Sequence, residues 1–247
     1  MREFMARLAA ELRRRFARVV DVVKDPLTEV HEPMKLIHTF RSEEDLAPWE
    51  LVLDRTYGGA SDASLSMGPD GFGVFEGTIN DDIGGSQVLK RGGFCGIRYA
   101  GRTKDTDLGY YDAFMLRVRA DDRLYLFNVG SAGVWTDGLY QSAFQRPAEA
   151  ADGEWGQLTL PFSKFNQTHE GFMLEQQHTM DTRHVDSLGL FATGEPGDFR
   201  IELDGIIACR RSELWKYLKA GEQQTPTAKG SDLHHALEVA SCEAPLR

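Results

Sequence analysis

Metal-ion chemistry would have to come from the seven histidines and three cysteines of this 247-residue chain. A mononuclear metal site takes two or three histidines and a carboxylate that converge on one point. No two histidines form a His-x-His pair on a predicted strand, and the adjacent His234 and His235 would point in different directions on a helix. The cysteines Cys95, Cys209 and Cys242 are too widely spaced for a zinc site or a disulfide framework. We therefore predict no metal centre, no cofactor and a reducing compartment.

Motifs for nucleophilic catalysis and nucleotide binding are equally absent from the sequence. There is no Gly-x-Ser-x-Gly turn, and neither Ser61 nor Ser131 has a nearby base along the chain. The glycines of residues 71–77 miss the dinucleotide-binding spacing, and residues 84–90 miss the spacing of a phosphate-binding loop. Carboxylates are plentiful, but no pair stands out as the acid and base of a glycosidase. The sequence therefore predicts a binding protein and not an enzyme.

Aromatic side chains and loops are the features best suited to recognition. Residues 130–140 form the most loop-like segment that contains a large apolar side chain, and binding usually occurs on such loops. We predict that Tyr57, Trp135 and Tyr140 contact a partner, although an aromatic residue of a β fold more often belongs to the core. Four other aromatic residues are assigned to the core: Trp49, Phe94, Trp155 and Phe162.

Alternation of apolar and polar residues dominates residues 34–210 and predicts one domain. Many short alternating runs, separated by turns rich in glycine, are typical of an antiparallel β-sandwich. The runs lie at residues 35–40, 72–79, 112–119, 123–129, 155–160, 188–193 and 199–204. In two of them, the positions predicted to face inward are Phe114, Leu116, Val118, Phe199, Ile201 and Leu203. The positions predicted to face outward are Arg117, Arg119, Arg200, Glu202 and Asp204.

Residues 1–25 form a separate basic segment. Residues 1–24 carry seven Lys or Arg against three acids, a net charge of +4, so the remainder carries −14 of the total of −10. Apolar residues at three- and four-residue spacing predict an amphipathic helix that ends before Pro26. Such a helix is typical of contact with an anionic lipid surface; an import sequence and a helix packed on the domain are the alternatives. The predicted membrane contacts are Phe4, Arg7, Leu8, Leu12, Arg14, Phe16 and Arg18.

The acidic charge of the rest of the chain excludes nucleic acid as a general partner, because a duplex repels an acidic protein. No stretch of eighteen apolar residues occurs, so no transmembrane helix is predicted. Ser42 and the acids that follow it favour a short helix over residues 42–47. Residues 211–247 are predicted to form a short helix, residues 212–220, and a flexible polar tail. The apolar side of this second helix consists of Leu214, Tyr217 and Leu218.

Eight short motifs follow one another in the order seen in the complex I intermediate-associated protein 30 family. They are Phe40, Glu44 and Trp49; residues 54–61; residues 73–77; residues 93–98; residues 108–119; residues 122–125; residues 161–165; and residues 197–206. The match spans about residues 36–208 of this chain. Phe-Cys-Gly-Ile-Arg at 94–98 and Gly-Asp-Phe-Arg-Ile-Glu at 197–202 are especially similar to plant-type members.

This resemblance implies a galactose-binding-like jelly roll that assists the assembly of mitochondrial respiratory complex I. It implies binding to membrane-arm subunits in assembly intermediates, with other assembly factors as further partners and no catalytic residues. The location implied is peripheral, on the matrix side of the inner membrane. The alternative is a carbohydrate-binding module, which would need two or three coplanar exposed aromatic rings on one sheet face. A jelly-roll enzyme is a third interpretation, which the histidine spacing disfavours.

Overall fold

The alternating runs form two antiparallel β-sheets, as the sequence predicts. A computed structural model describes residues 33–82, 93–100, 106–131, 139–148, 150–169 and 172–211. The strands are β1 (Met34–Thr39), β2 (Trp49–Leu53), β3 (Asp62–Met67), β4 (Gly73–Ile79), β5 (Phe94–Tyr99), β6 (Ala113–Ala120), β7 (Tyr125–Ser131), β8 (Leu139–Phe144), β9 (Gly156–Pro161), β10 (Asn166–His169), β11 (Phe172–Met173), β12 (Val185–Thr193) and β13 (Gly197–Cys209). The short helices are α1 (Glu43–Leu46) and two 3-10 turns, Asp54–Tyr57 and Phe162–Lys164.

Sheet A has six strands in the order β3-β4-β13-β6-β9, with β1 also paired to β13. The long strand β13 pairs with β4 along its first half and with β1 along its second half. Sheet B has seven strands in the order β11-β10-β8-β7-β12-β5-β2. The pairs β3-β4, β7-β8 and β10-β11 join consecutive strands, whereas pairs such as β4-β13, β6-β13 and β2-β5 join strands that are distant in sequence.

Side chains from the inner faces of both sheets fill the core between them. All six residues predicted to face inward are buried, and none is more than 3 % exposed. From sheet B, Tyr125, Phe127 and Leu188 join them. Each large apolar side chain that is fully buried contributes about 1.5–3 kcal/mol of transfer free energy. The predicted fold class, a mostly-β sandwich of jelly-roll type, is confirmed.

The outer face of sheet A carries a network of arginines and carboxylates. Glu202 and Asp204 lie on this polar face as predicted, yet both are buried. Arg119 and Arg200 donate to Glu202, and Arg117 and Arg41 donate to Asp204. The acids point outward as predicted, but they are not exposed to solvent because the arginines that donate to them also cover them.

Trp155 belongs to this outer face and not to the core, so its core assignment is wrong. It precedes the edge strand β9, and its ring centroid lies 5.0 Å and 5.2 Å from the guanidinium carbons of Arg117 and Arg119. The Phe72 ring packs against it at 4.6 Å. The attraction between the cations and the ring face stabilises this position. Phe162 instead packs against the core through the Phe114 ring, at 4.8 Å between centroids.

The first predicted short helix is confirmed as α1. Ser42 is its N-cap, and the Ser42 hydroxyl accepts a hydrogen bond from the backbone N–H of Asp45 at 3.2 Å. Leu46 and Trp49 both belong to the hydrophobic core, so the core assignment of Trp49 is also confirmed.

The predictions for residues 1–25 and for residues 212–247 lie outside the described residues. The described residues all belong to one compact unit that begins at Pro33. None of the helices within those described ranges is long and apolar enough to cross a membrane. The predicted boundaries of the basic segment, the sandwich and the tail therefore stay predictions.

Candidate functional site

The outer face of sheet B presents two parallel rows of side chains that cross five or more strands. The strand register places one residue of each strand in each row. The apolar row consists of Ala143, Leu126, Phe191, Gly96 and Val52. The polar row consists of Asn166, Gln141, Asn128, Gly189, Arg98 and Glu50.

Phe191 lies flat over the backbone of the sheet because two glycines leave room for its ring. A Cβ atom added to Gly96 would lie 2.3 Å from Cε1 of Phe191, and one added to Gly189 would lie 2.9 Å from Cε2. Any side chain at Gly96 would therefore displace the ring. This contact fixes Phe191 as a half-buried aromatic platform in the middle of the face.

Two further rings extend this platform toward the edge of the sheet. The Phe94 ring lies 6.2 Å from the Phe191 ring at an interplanar angle of 48°, and the Tyr57 ring lies 6.3 Å from the Phe94 ring at 46°. Tyr57 is 46 % exposed. We call Tyr57, Phe94 and Phe191 the aromatic track.

The polar row offers hydrogen-bonding groups but little net charge. The Gln141 side-chain amide donates to Oδ1 of Asn128 at 3.0 Å, and Asn128 is 5 % exposed. Arg98 and Glu50 form an exposed ion pair at 3.3 Å, which is worth little to stability. In a chain of net charge −10, a face that combines aromatic rings, amides and one balanced ion pair has the composition of an interface core, from which charged residues are depleted.

A fully buried carboxylate holds the aromatic track in place. Oδ2 of Asp54 accepts hydrogen bonds from the Ser61 hydroxyl at 2.5 Å and from the backbone N–H of Phe94 at 3.0 Å, while Oδ1 accepts from the backbone N–H of Ser61 at 3.0 Å. The Ser61 oxygen in turn accepts from the N–H of Asn80 at 2.9 Å. Asp54 thereby joins the end of β2, the start of β3, the end of β4 and the start of β5.

The role of this carboxylate is positional and not catalytic. A Cβ atom at Gly59 or Gly93 would approach the Asp54 side chain to 2.4 Å, so the surrounding backbone leaves no space for a substrate. The 3-10 turn that begins at Asp54 ends at Gly58, whose φ of 93° suits glycine. The turn carries Tyr57 onto the outer face, where its ring meets Phe94.

The predicted contact residues fall in three different places. Tyr57 belongs to the exposed aromatic track. Trp135 lies outside the described residues. Tyr140 pairs with Val129, points into the sandwich and is 3 % exposed, and its hydroxyl donates to the carbonyl of Thr179 at 3.3 Å. A ring buried on the inner face cannot contact a partner, so the prediction for Tyr140 is wrong.

Phe94 and Phe191 are the site residues that the sequence analysis missed, and the core assignment of Phe94 is wrong. The signal was present as alternation, because Phe94-x-Gly96 and Gly189-x-Phe191 each place an aromatic ring and a glycine on one face of a strand. Only the pairing of β5 with β12 brings the two patterns together.

The part of the chain that the structure describes contains neither a metal-binding cluster nor a reactive thiol. Across the described ranges, no three His, Cys, Asp or Glu side chains lie close enough to hold a metal ion. Burial raises the pKa of both Cys95 and Cys209 to about 12, so both remain protonated thiols near neutral pH. Burial also lowers the pKa of His38, which packs against the Tyr99 ring at 4.0 Å.

Residues 38–203 match the family model of complex I intermediate-associated protein 30. The chain belongs to this family. It is 27 % identical over 185 residues to the mitochondrial complex I intermediate-associated protein 30 of Drosophila melanogaster, covering 69 % of this chain and 61 % of that protein. The corresponding protein of Mus musculus is 26 % identical over 190 residues, covering 73 % and 58 %. The chain thus spans about three fifths of the length of these relatives.

Among solved structures, a family 11 carbohydrate-binding module from Clostridium thermocellum is similar at 17 % identity and a TM-score of 0.48. The similarity covers 72 % of this chain and 95 % of the module. The family model also covers the residues that build the Asp54 hydrogen bonds and the whole aromatic track.

Proposed function

We propose that this protein is a non-enzymatic assembly factor for mitochondrial respiratory complex I. It holds a membrane-arm assembly intermediate, alongside other assembly factors, by the outer face of sheet B. The observation that carries the proposal is the aromatic track on a charge-balanced sheet face, in a chain of the complex I intermediate-associated protein 30 family. Partly assembled membrane subunits expose apolar surface, and such a face offers them a reversible contact.

The energetics of the track suit a temporary partner. Aromatic residues near the centre of an interface commonly cost 2 kcal/mol or more on truncation, which corresponds to a loss of affinity of about thirtyfold. Phe191 has its ring already fixed by Gly96 and Gly189, so binding would cost little side-chain entropy. The rest of the face supplies amides that can satisfy backbone groups of a partner.

Carbohydrate binding is the second candidate, and the angles between the rings disfavour it. A module that stacks on a flat sugar chain needs coplanar platforms, whereas consecutive rings of the track are tilted by 46° and 48°. Screening the purified protein against a glycan array tests this alternative directly. Saturable glycan binding that is lost in Phe191→Ser would favour it over the assembly role.

The test of the assembly role uses variants in cells that lack the natural protein. We expect Phe191→Ser and Tyr57→Ser to reduce co-purification of complex I subunits about tenfold or more and to slow the appearance of complex I on native gels. The matched control is Leu36→Ser, because Leu36 is 62 % exposed on β1 of sheet A. Each variant must melt within a few degrees of the natural protein. Normal capture by Phe191→Ser, or equal loss in the Leu36 control, would refute the use of this face.

We further propose that residues 1–24 lie in the interface of the inner mitochondrial membrane, on the matrix side, and keep the protein there as a peripheral component. The apolar stripe and the charge of +4 support this proposal, since each basic residue near an anionic surface contributes about 1 kcal/mol. The test is co-sedimentation of the full chain, and of a chain that begins at Pro26, with liposomes that do or do not contain anionic lipid. If the full chain and the chain that begins at Pro26 bound these liposomes equally, that result would contradict the membrane proposal.

A further inference from the structure

Sheet B ends at strand β2, and one side of this strand carries backbone groups that no described residue pairs. Among the described strands, only β5 pairs with β2. The backbone N–H of Ala100 donates to the carbonyl of Pro48 at 2.8 Å, and this bond sets the alternation of the antiparallel ladder. Glu50 and Val52 therefore exchange hydrogen bonds with β5, whereas the N–H and C=O of Leu51 point away from the sheet. Within the described ranges, no hydrogen bond reaches these two groups of Leu51.

The side chains of this strand edge, which we call the β2 edge, are apolar at its centre. Leu51 is 45 % exposed, although Ile97, its partner across the ladder, is fully buried. On the outer face of sheet B, Val52 ends the apolar row and Glu50 ends the polar row. A strand added at the β2 edge would therefore extend both rows and cover Leu51.

The other described edges of the two sheets carry features that oppose pairing with another chain, as exposed edges of natural proteins commonly do. β1 has a bulge and Lys35, β9 ends at Pro161, and the exposed residues of β3 are all polar. β11 has only two residues. Beside it, the Gln177 side chain bonds both the N–H and the C=O of Gln167, at 2.6 Å and 3.0 Å. β2 contains no proline, lysine or bulge, so the β2 edge is the described edge best suited to receive a strand.

We propose that the β2 edge binds an extended segment of the partner protein, which adds a strand to sheet B. The segment pairs its backbone with Leu51 and alternates apolar residues, which cover the Leu51 side chain, with basic residues beside Glu50. In this mode of recognition the main-chain hydrogen bonds supply affinity and the alternate side chains supply specificity. The inference rests on the proposed function, because the partner is the assembly intermediate that the outer face of sheet B holds.

The charge of the chain and the position of the edge both favour such a partner. Residues 25–247 carry a net charge of −14, which attracts a basic segment. Val52 lies next to Gly96, and Gly96 lies next to Phe191, in one row across three strands. An added strand would lie three strand spacings from Phe191, about 14 Å. One partner can therefore occupy the β2 edge and the aromatic track together.

A second copy of this chain fits the β2 edge less well. Two copies, each of net charge −10, repel each other. Antiparallel pairing of β2 with its own copy around Leu51 would place Glu50 opposite Val52 of the other copy. β2 has five residues, whereas a stable interface takes about 20–30 residues from each side.

Proline substitutions test the direction of the backbone groups before any partner is added. Leu51→Pro removes an N–H that points away from the sheet, and proline is tolerated at such edge positions. Val52→Pro is the matched control, because the N–H of Val52 belongs to the ladder with β5. We expect Leu51→Pro to melt within a few degrees of the natural protein and Val52→Pro to melt clearly lower.

Capture of complex I subunits from cells that lack the natural protein then tests strand addition. Leu51→Pro should reduce capture about tenfold, because it removes one intermolecular hydrogen bond and its ring obstructs the added strand. Leu51→Ser keeps the N–H and should reduce capture less than about threefold. Leu51→Lys places a charge beneath the added strand and should reduce capture about tenfold as well. This variant carries the test if Leu51→Pro does not fold.

Three results would overturn the inference, and they separate it from the proposed function. Normal capture by folded Leu51→Pro or by Leu51→Lys, together with lost capture by Phe191→Ser, refutes strand addition and leaves the assembly role in place. Equal losses in Leu51→Pro and Leu51→Ser would assign the contact to the side chain alone. A natural protein that is a dimer in light scattering, and a monomer as Leu51→Pro, would assign the edge to a second copy. If the natural protein captures no complex I subunit, the proposed function and the inference both fail.

Discussion

Replacing Asp54 by Asn tests whether one buried carboxylate holds the aromatic track. The substitution keeps the shape of the side chain but converts one oxygen into an N–H donor. The least costly arrangement keeps the remaining carbonyl oxygen at the Oδ2 position, where it accepts from the Ser61 hydroxyl and the Phe94 N–H. The new amide then faces the backbone N–H of Ser61, which loses its acceptor.

The expected cost follows from these contacts. Asp54 and Ser61 are both 0 % exposed, so water cannot replace the lost bond, and an unpaired buried donor costs about 1–3 kcal/mol. The two remaining bonds lose their charge assistance, which adds about 1 kcal/mol. Asp54→Asn should therefore lower the free energy of unfolding by about 2–4 kcal/mol. Because Phe94 and Tyr57 depend on the same carboxylate, capture of complex I subunits should fall as well.

Urea denaturation followed by tryptophan fluorescence measures the change. Asp62→Asn is the matched control, since it also removes one negative charge but from a carboxylate that is 65 % exposed and paired with Arg55 at 3.3 Å. The control should cost less than about 1 kcal/mol. A cost below about 1 kcal/mol for Asp54→Asn, or equal costs for both variants, would show that the hydrogen-bond argument is incorrect.

Two further predictions concern the core and the pH dependence of stability. Phe114 is 0 % exposed, so Phe114→Ala should cost about 3–5 kcal/mol and the half-buried Phe162→Ala roughly half as much; equal costs in urea denaturation would contradict the placement of Phe162 at the edge of the core. The pKa of His38 lies below its ordinary value of 6.5, mainly because burial disfavours the charged ring, with Asp45 opposing that shift. As the pH falls, His38 therefore becomes protonated in the unfolded chain before it does so in the folded protein. The contribution of the neutral His38 ring to the free energy of unfolding is present above about pH 6.5 and is lost at lower pH. His38→Gln should therefore lose less stability between pH 7.5 and 5 than the natural protein, as measured by thermal melts at the two pH values. An equal loss in both proteins would refute the role of His38.

Local sequence rules were sufficient to predict the environment of a residue wherever that environment depends on its own strand or turn. Period-2 alternation assigned Phe114 and Val118 to the core, and Ser42 identified the start of α1 from its neighbours alone. These inferences work because strand faces and helix caps are set by residues only a few positions apart.

What the sequence by itself determined was therefore the fold class, the inward-facing side chains and the family. Only the tertiary structure decided which outward-facing residues are covered and which are exposed. Glu202 and Asp204 are buried because Arg117 and Arg119 come from a strand more than eighty residues away in sequence. Phe191 is a platform because β5 pairs with β12 and brings Gly96 beneath its ring. Strand register across such distances results from the packing of the whole sandwich, and no local pattern in one sequence specifies it.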